Sequence, residues 1–355
     1  MTHDPLPASG VLQSGLAVPY VAMAEAEAVD LVRSHYGIAG RATRFATEKD
    51  DTFRITATDG QRFVLKVANP AEDVPEIDLQ LRILDHLAAT APALPVPRVI
   101  ANASGEPLFT CQDQAGQNRP VRMMTYMDGQ PLSEVPSTAA GRQEIGKLLA
   151  RLRLALADFS HPADSRVLAW DIQHLLSLEG LLGEVKDPAQ RRQLEAGLER
   201  FATIDGRLAA TRQQVLHNDF SQSNIVVDAA LPTFVSGVID FGDAVRTSVA
   251  IDVSTALLGQ RPGQSDGEFF GHGRDLLEGY LSVADLTAEE LSLLPHLVMG
   301  RVITRALLSI ALAAAVPANA AYVTRFTHHC WPQLDWFLSR SADEVSSQFA
   351  NYATT

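Results

Sequence analysis

Cysteine is nearly absent: Cys111 and Cys330 are the two in 355 residues. So few, so far apart, exclude a disulfide framework and a cysteine metal site, and reduced thiols in a cytoplasm are the expected state. Basic charge is also short, with 29 lysines and arginines against 42 acidic side chains and a net charge of -13. That balance argues against a nucleic-acid surface or an anionic membrane as partner. It leaves an anionic ligand open, because a few local cations or a helix N-terminus bind phosphate on an acidic protein. The opening residues, MTHDPLPASG, have neither the basic n-region nor the apolar core of a signal peptide. The charge-free stretch from Ala306 to Asn319 is interrupted by Pro317 and too short for a bilayer, so a buried helix is expected there. Internal repeats and low-complexity tracts are missing too. What remains is the balance of a folded protein, 46% hydrophobic and 20% charged, long enough for two lobes and a large core.

Residues 1–20 are rich in Pro, Gly and Ser and are expected to be poorly ordered. Residues 22–35 have helical spacing with Gly37 as a stop. Residues 52–70 read as two alternating runs joined across a Thr-Asp-Gly turn, a hairpin. Pro75 opens a helix with Ile77, Leu81, Leu84 and Leu87 on one stripe, and VPRVIA and residues 119–129 are further strands. After Pro136 the pattern turns helical, strongly over 141–159, weakly over 176–212, and again from about 248 to 340. One apolar β stretch, 224–241, interrupts it. The expected class is α+β: a small antiparallel β-sheet lobe over 21–129, a connector at Asp128 to Pro131, and a larger, mainly helical lobe over 130–355.

Within that stretch, VLHNDFSQSNIVVD (215–228) is followed by VIDFGD (238–243). Two short β runs, 225–228 and 233–239, read as an antiparallel hairpin. Asn224 then precedes the outgoing strand and Asp240 follows the return strand, so both emerge at the same open end. Asp219 reaches that end by a loop. A carboxylate, an amide and a carboxylate converge, a hard oxygen set suited to Mg²⁺ with one aspartate left to orient a hydroxyl.

The spacing resembles the catalytic loop of protein kinases, H-x-D with Asn five after the Asp, and D-F-G for the metal aspartate. The form HNDFSQSN…VIDFGDA is most similar to the aminoglycoside phosphotransferase and choline kinase superfamily, and the extended match with FVLKVANP resembles the hydroxylysine-kinase-like small-molecule kinases. No A-P-E segment follows Asp240. The resemblance implies a two-lobed protein-kinase-like fold, with nucleotide bound by the small lobe. It implies that Asp219 is the catalytic aspartate and that Asn224 and Asp240 hold Mg²⁺. Asp243 is an extra carboxylate near metal or substrate, His217 an anchor of the loop, and Asp252 a tie for the loop after Asp240. Lys66, out of phase with Phe63, Leu65 and Val67, matches the phosphate-binding lysine. Its helix glutamate is replaced by Gln80, and Glu76, one turn earlier, is the substitute partner. Tyr126 and Met127 of MMTYMDG would offer main-chain groups to the purine. The Gly-rich loop is missing from TEKDDTFRI (47–55), which leaves main-chain amides or Thr47, Lys49 and Thr52 to cover phosphate.

Elsewhere most polar motifs read as structure. GHG (271–273) opens a helix with no strand before it. His328 and His329, adjacent on a helix, would point apart, and Trp331, Trp336 and Phe337 would be core. Arg301 and Arg305, four apart in an apolar segment, need anionic partners: a neighbouring carboxylate or that of the substrate. Trp170, with Asp171, would line the acceptor pocket. The expected activity is transfer of the γ-phosphoryl group of ATP or GTP to a hydroxyl of a small acceptor, best a hydroxylated amino acid such as 5-hydroxylysine. An aminoglycoside, choline, ethanolamine or homoserine are alternative acceptors, and a nucleotide-binding pseudokinase is the alternative of another class.

Overall fold

The structure, a computed structural model, describes residues 18–47, 50–260, 268–315, 320, 324–325 and 327–353. Lys49, Pro317 and residues 1–17, which the sequence reading invoked, lie outside the described residues.

After helix α1 (Glu25–Tyr36) comes an antiparallel sheet of β1 (Gly40–Arg44), β2 (Asp51–Ala57), β3 (Arg62–Val67), β4 (Val99–Ile100), β5 (Phe109–Gln112) and β6 (Asn118–Thr125). The order is β1-β2-β3-β6-β4, with β5 also on β6. Period-two alternation sends Phe53, Ile55, Leu65, Val67, Val121 and Met123 to one face, each at most 2% exposed, where α1 covers them with Ala28, Leu31 and Val32. Burial of each such side chain is worth about 1.5–3 kcal/mol relative to exposure. The opposite face carries Lys66 and Arg122 as direct cross-strand neighbours. The β2–β3 turn is the expected one, with Gly60 at φ 88°.

Helix α2 (Val74–Thr90) has Pro in its first turn and buries Ile77, Leu81, Leu84 and Leu87. Residues 126–129 then lead to β7 (Gln130–Pro131), which pairs with the strand Ile225–Val227 of the larger lobe. Gly129 has φ 139°, and a Cβ there would lie 2.6 Å from the Val227 carbonyl oxygen, so glycine is required.

The helical lobe contains α3 (Ala139–Ala155), a 3-10 stretch (Ile172–Glu184), α4 (Pro188–Ala202), α5 (Val249–Gly259), α6 (Gly271–Leu281), α7 (Ala288–Ala315) and α8 (Cys330–Leu338). Helix α7 is its axis, touching α4, α5, α8 and the 3-10 stretch. By length and composition it could cross a membrane, but 78% of its apolar window is buried inside this lobe. Helices α3 and α6 approach so closely that a Cβ on Gly146 would sit 1.9 Å from the Leu276 carbonyl oxygen, and one on Gly279 2.0 Å from that of Gln143. Phe269, Phe270, Trp336, Phe337 and Phe349 form an aromatic cluster, as expected for a core role of the last helices.

Two local expectations are corrected, and one pair of strands is added. The weakly periodic stretch after Trp170 winds as a 3-10 helix over Ile172–Glu184 before α4 begins. Two four-residue strands that the sequence reading did not mark, β8 (Gln213–Leu216) and β11 (Val245–Ser248), pair antiparallel with each other. Four residues carry too little alternation to reveal a strand. His328 and His329 do not point apart: they lie in a 3-10 turn with ring centroids 3.9 Å apart.

Candidate active site

Strand β8 delivers His217, Asn218 and Asp219 to the mouth of the hairpin formed by β9 (Ile225–Val227) and β10 (Val235–Val238). The open end is where the sequence reading placed it: the Ile239 amide donates to the Asn224 carbonyl at 2.9 Å, bringing Asn224 and Asp240 together. Asn218 and Asp240 both adopt the left-handed region, φ 60° and 63°. Non-glycine residues hold that conformation only where their surroundings over-determine it.

For Asn218 the surroundings are visible. Its amide donates to Asp252 Oδ1 at 2.8 Å, and its carbonyl and side-chain oxygens each accept from Arg301 Nη2 at 2.7 Å. His217 Nε2–H donates to the Ile239 carbonyl at 3.0 Å, which leaves Nδ1 to accept from the Asp219 amide at 3.3 Å. Its ring lies against Phe241, centroids 4.7 Å apart. The histidine thus anchors the loop, as expected. Asp252 ties down Asn218, not the loop after Asp240 as expected, and its burial raises its pKa.

Asn224 Nδ2 donates to Asp219 Oδ2 at 2.6 Å and to the Asp219 carbonyl at 3.0 Å, fixing the direction of that carboxylate. Burial, and then the nearby charges of Asp243 and Asp240, push the Asp219 carboxyl up to about 7, with Arg301 opposing. Asp240 moves the other way. Lys66 Nζ, 3.1 Å from Oδ1, holds it down at about 2, and the Gly242 amide donates to the same oxygen at 3.3 Å. Half of the Asp240 side chain meets solvent, so the ion pair is partly screened. Two carboxylates with opposite tendencies therefore share the cleft: one poised to exchange a proton near neutrality, one fixed as an anion.

The donor set fits Mg²⁺. Asn224 spends its amide nitrogen on Asp219, which leaves the amide oxygen for a cation, and Asp240 takes both protein hydrogen bonds on Oδ1. Among the described residues no cluster of three or more His, Cys, Asp or Glu forms an all-protein cage. Mg²⁺ bound with phosphates needs only one or two carboxylates and keeps waters. Asp243 ends the 3-10 turn Phe241–Asp243 and interacts electrostatically with Asp219.

Several expected site residues have other partners. Neither Gln80 nor Glu76 pairs with Lys66, whose partner is Asp240. Gln80 Oε1 accepts from Arg122 Nη2 at 3.1 Å, and Arg122 also pairs with Asp50 at 3.2 Å. Burial opposes charge on Asp50, yet Arg122 and Lys66 hold its carboxyl below the usual range. Glu76 pairs with Arg166 at 2.6 Å. A small cavity beside Lys66 is lined by Gln80, Arg122, Met124, Asp240 and Phe241. The Tyr126 amide donates to the Arg62 carbonyl at 3.2 Å and is not free for a purine. Met127 and the Tyr126 carbonyl remain. The Thr47 hydroxyl is spent on the Asp50 carbonyl of its own turn.

Arg301 has the anionic neighbours it was expected to need, but not as hydrogen-bond partners. Its expected carboxylate partner is absent from its hydrogen bonds, which go instead to the carbonyls of Trp170 (2.9 Å) and Asn218 and to the Asn218 side chain. Trp170 meets Arg301 through that carbonyl. Asp171, Asp219, Asp252 and Asp243 lie close enough to offset the buried guanidinium's charge. Arg301→Met leaves buried carbonyls without donors and acids without a counter-charge. Thermal and denaturant unfolding should report a loss of about 2–5 kcal/mol; a loss within 0.5 kcal/mol of zero, roughly the level of a neutral surface change, contradicts the anchoring. Arg305, one turn on, is half-buried and has no hydrogen bond among the described residues. Asn218, Asp50, Arg122 and Arg166 were missed by sequence reasoning. Asn218, inside the HND motif, is the one that the motif itself could have flagged.

The profile of the phosphotransferase enzyme family matches residues 42–286. Hydroxylysine kinase of Mus musculus is 27% identical over 333 residues, 87% of this chain and 88% of that protein. Homoserine kinase of Hyphomonas neptunium is 26% identical over 266 residues, 73% of this chain and 77% of that protein. Among solved structures, an amicoumacin kinase in complex with AMP-PNP and Ca²⁺ superposes with a TM-score of 0.66 at 18% identity, covering 84% of this chain and 92% of its own. The fold is thus the two-lobed, protein-kinase-like one, and the match over residues 42–286 makes this chain a member of the phosphotransferase enzyme family.

Proposed function

We propose that the protein transfers the γ-phosphoryl group of ATP or GTP to a side-chain hydroxyl of a small amino acid, with 5-hydroxylysine the best candidate. The observation that carries the reading is the meeting of Lys66, from the sheet, with Asp240, beside Asn224 and Asp219, from the helical lobe. In this reading residues 21–129 bind the nucleotide, and residues 130–355 supply the catalytic loop and the acceptor pocket. The sparse cysteine and the family relationship support a cytoplasmic enzyme.

Catalysis is positioning and charge neutralisation. Lys66 gathers the phosphates, and Asn224 and Asp240 would hold Mg²⁺, which supplies positive charge to the phosphate oxygens. Met127 and the Tyr126 carbonyl face the purine. Asp219, aimed by Asn224, accepts the hydroxyl proton as the acceptor oxygen attacks in line. Its raised pKa suits a base working near neutral pH.

The named relatives support an acceptor with an α-carboxylate, since hydroxylysine and homoserine are both amino acid alcohols. With Arg301 engaged by the catalytic loop, Arg305 is the cation left on that face of α7, and we assign it to the carboxylate. Asp243 and Trp170 complete the wall, Asp243 facing the acceptor's ammonium. Nucleotide consumption measured with hydroxylysine, homoserine, ethanolamine, choline and an aminoglycoside, each with ATP and GTP, tests this. The amino acids should give the highest kcat/KM. Arg305→Ala should raise the KM for hydroxylysine about 10- to 100-fold, the worth of one charge-assisted hydrogen bond, and leave that for ethanolamine unchanged. Preference for ethanolamine or the aminoglycoside contradicts the assignment, and no consumption with any acceptor favours a pseudokinase.

A further inference from the structure

We infer that Arg166 and Glu76 form a latch that sets the geometry of the metal loop according to the position of helix α2. It deepens the phosphoryl-transfer reading above and rests on it for its kinetic consequences. Arg166 Nη1 pairs with Glu76 Oε2 at 2.6 Å, while Nη2 donates to the carbonyls of Gly242 and, at 2.9 Å, Ala244. One planar guanidinium therefore joins a carboxylate of the small lobe to two carbonyls that flank Asp243 and begin two residues after Asp240. Arginine can serve all three acceptors at once because its donors are set in a fixed fork; lysine cannot.

The latch stands on a firm base. Asp164, two residues before Arg166, is bonded to Arg246 of β11 through its side chain at 2.7 Å, and its carbonyl accepts the Arg246 amide at 2.7 Å. Helix α2 is fastened to the same segment by Asp78–His161 (3.1 Å), and to the end of α3 just before it by His86–Ala155 carbonyl (2.9 Å). Of these attachments, that of Arg166 reaches the Asp240 loop. Asp240 sits at φ 63°, a conformation that persists only where its surroundings over-determine it, and the bonded carbonyls of Gly242 and Ala244 are part of those surroundings. The latch also accounts for Gln80. With no carboxylate of α2 on Lys66, that lysine is left to Asp240, and the helix reports its position to the metal loop through Glu76, one turn earlier.

The test compares Arg166→Met, Arg166→Lys, Glu76→Gln and the Arg166→Met/Glu76→Gln pair with wild type. Arg166→Met should lower kcat about 10- to 100-fold, the scale of a displaced reacting group, and raise the half-saturating Mg²⁺ concentration. The acceptor KM should stay near wild type. Glu76→Gln should do the same to a smaller extent, and the double variant should be no worse than Arg166→Met. Arg166→Lys should recover only part of the loss, though it keeps the charge. Hydrogen exchange supplies a readout independent of turnover: amides of 240–244 and 74–80 should exchange faster together in both single variants. Unchanged exchange of 240–244 in Glu76→Gln, or additive effects in the double variant, overturns the latch. If wild type phosphorylates none of the acceptors, the functional reading falls, and the exchange result still decides the latch.

Discussion

Asp240→Asn should abolish metal-dependent turnover, with kcat falling by at least about 10³-fold, the several kcal/mol that a bound metal contributes by offsetting phosphate charge. Asparagine keeps the size of the side chain and an oxygen for the Gly242 amide, so the 3-10 turn survives. It loses the charge that pairs with Lys66 and that would draw in the cation. ATP alone should bind nearly as before, because Lys66 is freed for phosphate, while the tightening of ATP binding by Mg²⁺ disappears. Isothermal titration with and without Mg²⁺ checks this. A variant that keeps its Mg²⁺ response refutes the metal role of Asp240.

Asp219→Asn gives a different signature. The rate should fall by about 10²- to 10⁴-fold, the range for a positioned acid–base group, and nucleotide affinity should stay within about threefold because Lys66 pairs with Asp240 and not with Asp219. The replacement keeps an oxygen toward Asn224 and removes the proton acceptor. Retention of full activity refutes the assigned role. Loss of nucleotide binding places Asp219 among the binding groups.

Much of this site was legible in the sequence because it rests on local rules. Alternation in IVVD and TFVSGVI, with a turn between, is enough to bring Asn224 and Asp240 to one end of a ribbon. The Thr-Asp-Gly turn and the phase of Lys66 on β3 follow from the same period of two. What escaped depends on tertiary partners. The spacing on α2 fixes which residues share a face, but not that Glu76 meets Arg166 while Arg122 takes Gln80. Arg301 announced that it needed anionic neighbours, which Asp171, Asp219, Asp252 and Asp243 are, but chain order gave no sign that its hydrogen bonds go to backbone carbonyls. Arg166 lies in SRVLAW, between a loop and a 3-10 stretch, where no periodicity marks it. Strands β8 and β11 are visible only through their pairing with each other.

The central claim is that an alcohol oxygen, held by Asp219, receives phosphate from a nucleotide gathered by Lys66, Asn224 and Asp240. Phosphorus NMR of wild-type protein with 5-hydroxylysine, ATP and Mg²⁺ tests it most directly. The account predicts a new phosphomonoester resonance that grows in step with ADP, and none with Asp219→Asn over the same time. Formation of ADP with free phosphate alone, or of no product with any hydroxylated amino acid tried, would contradict it.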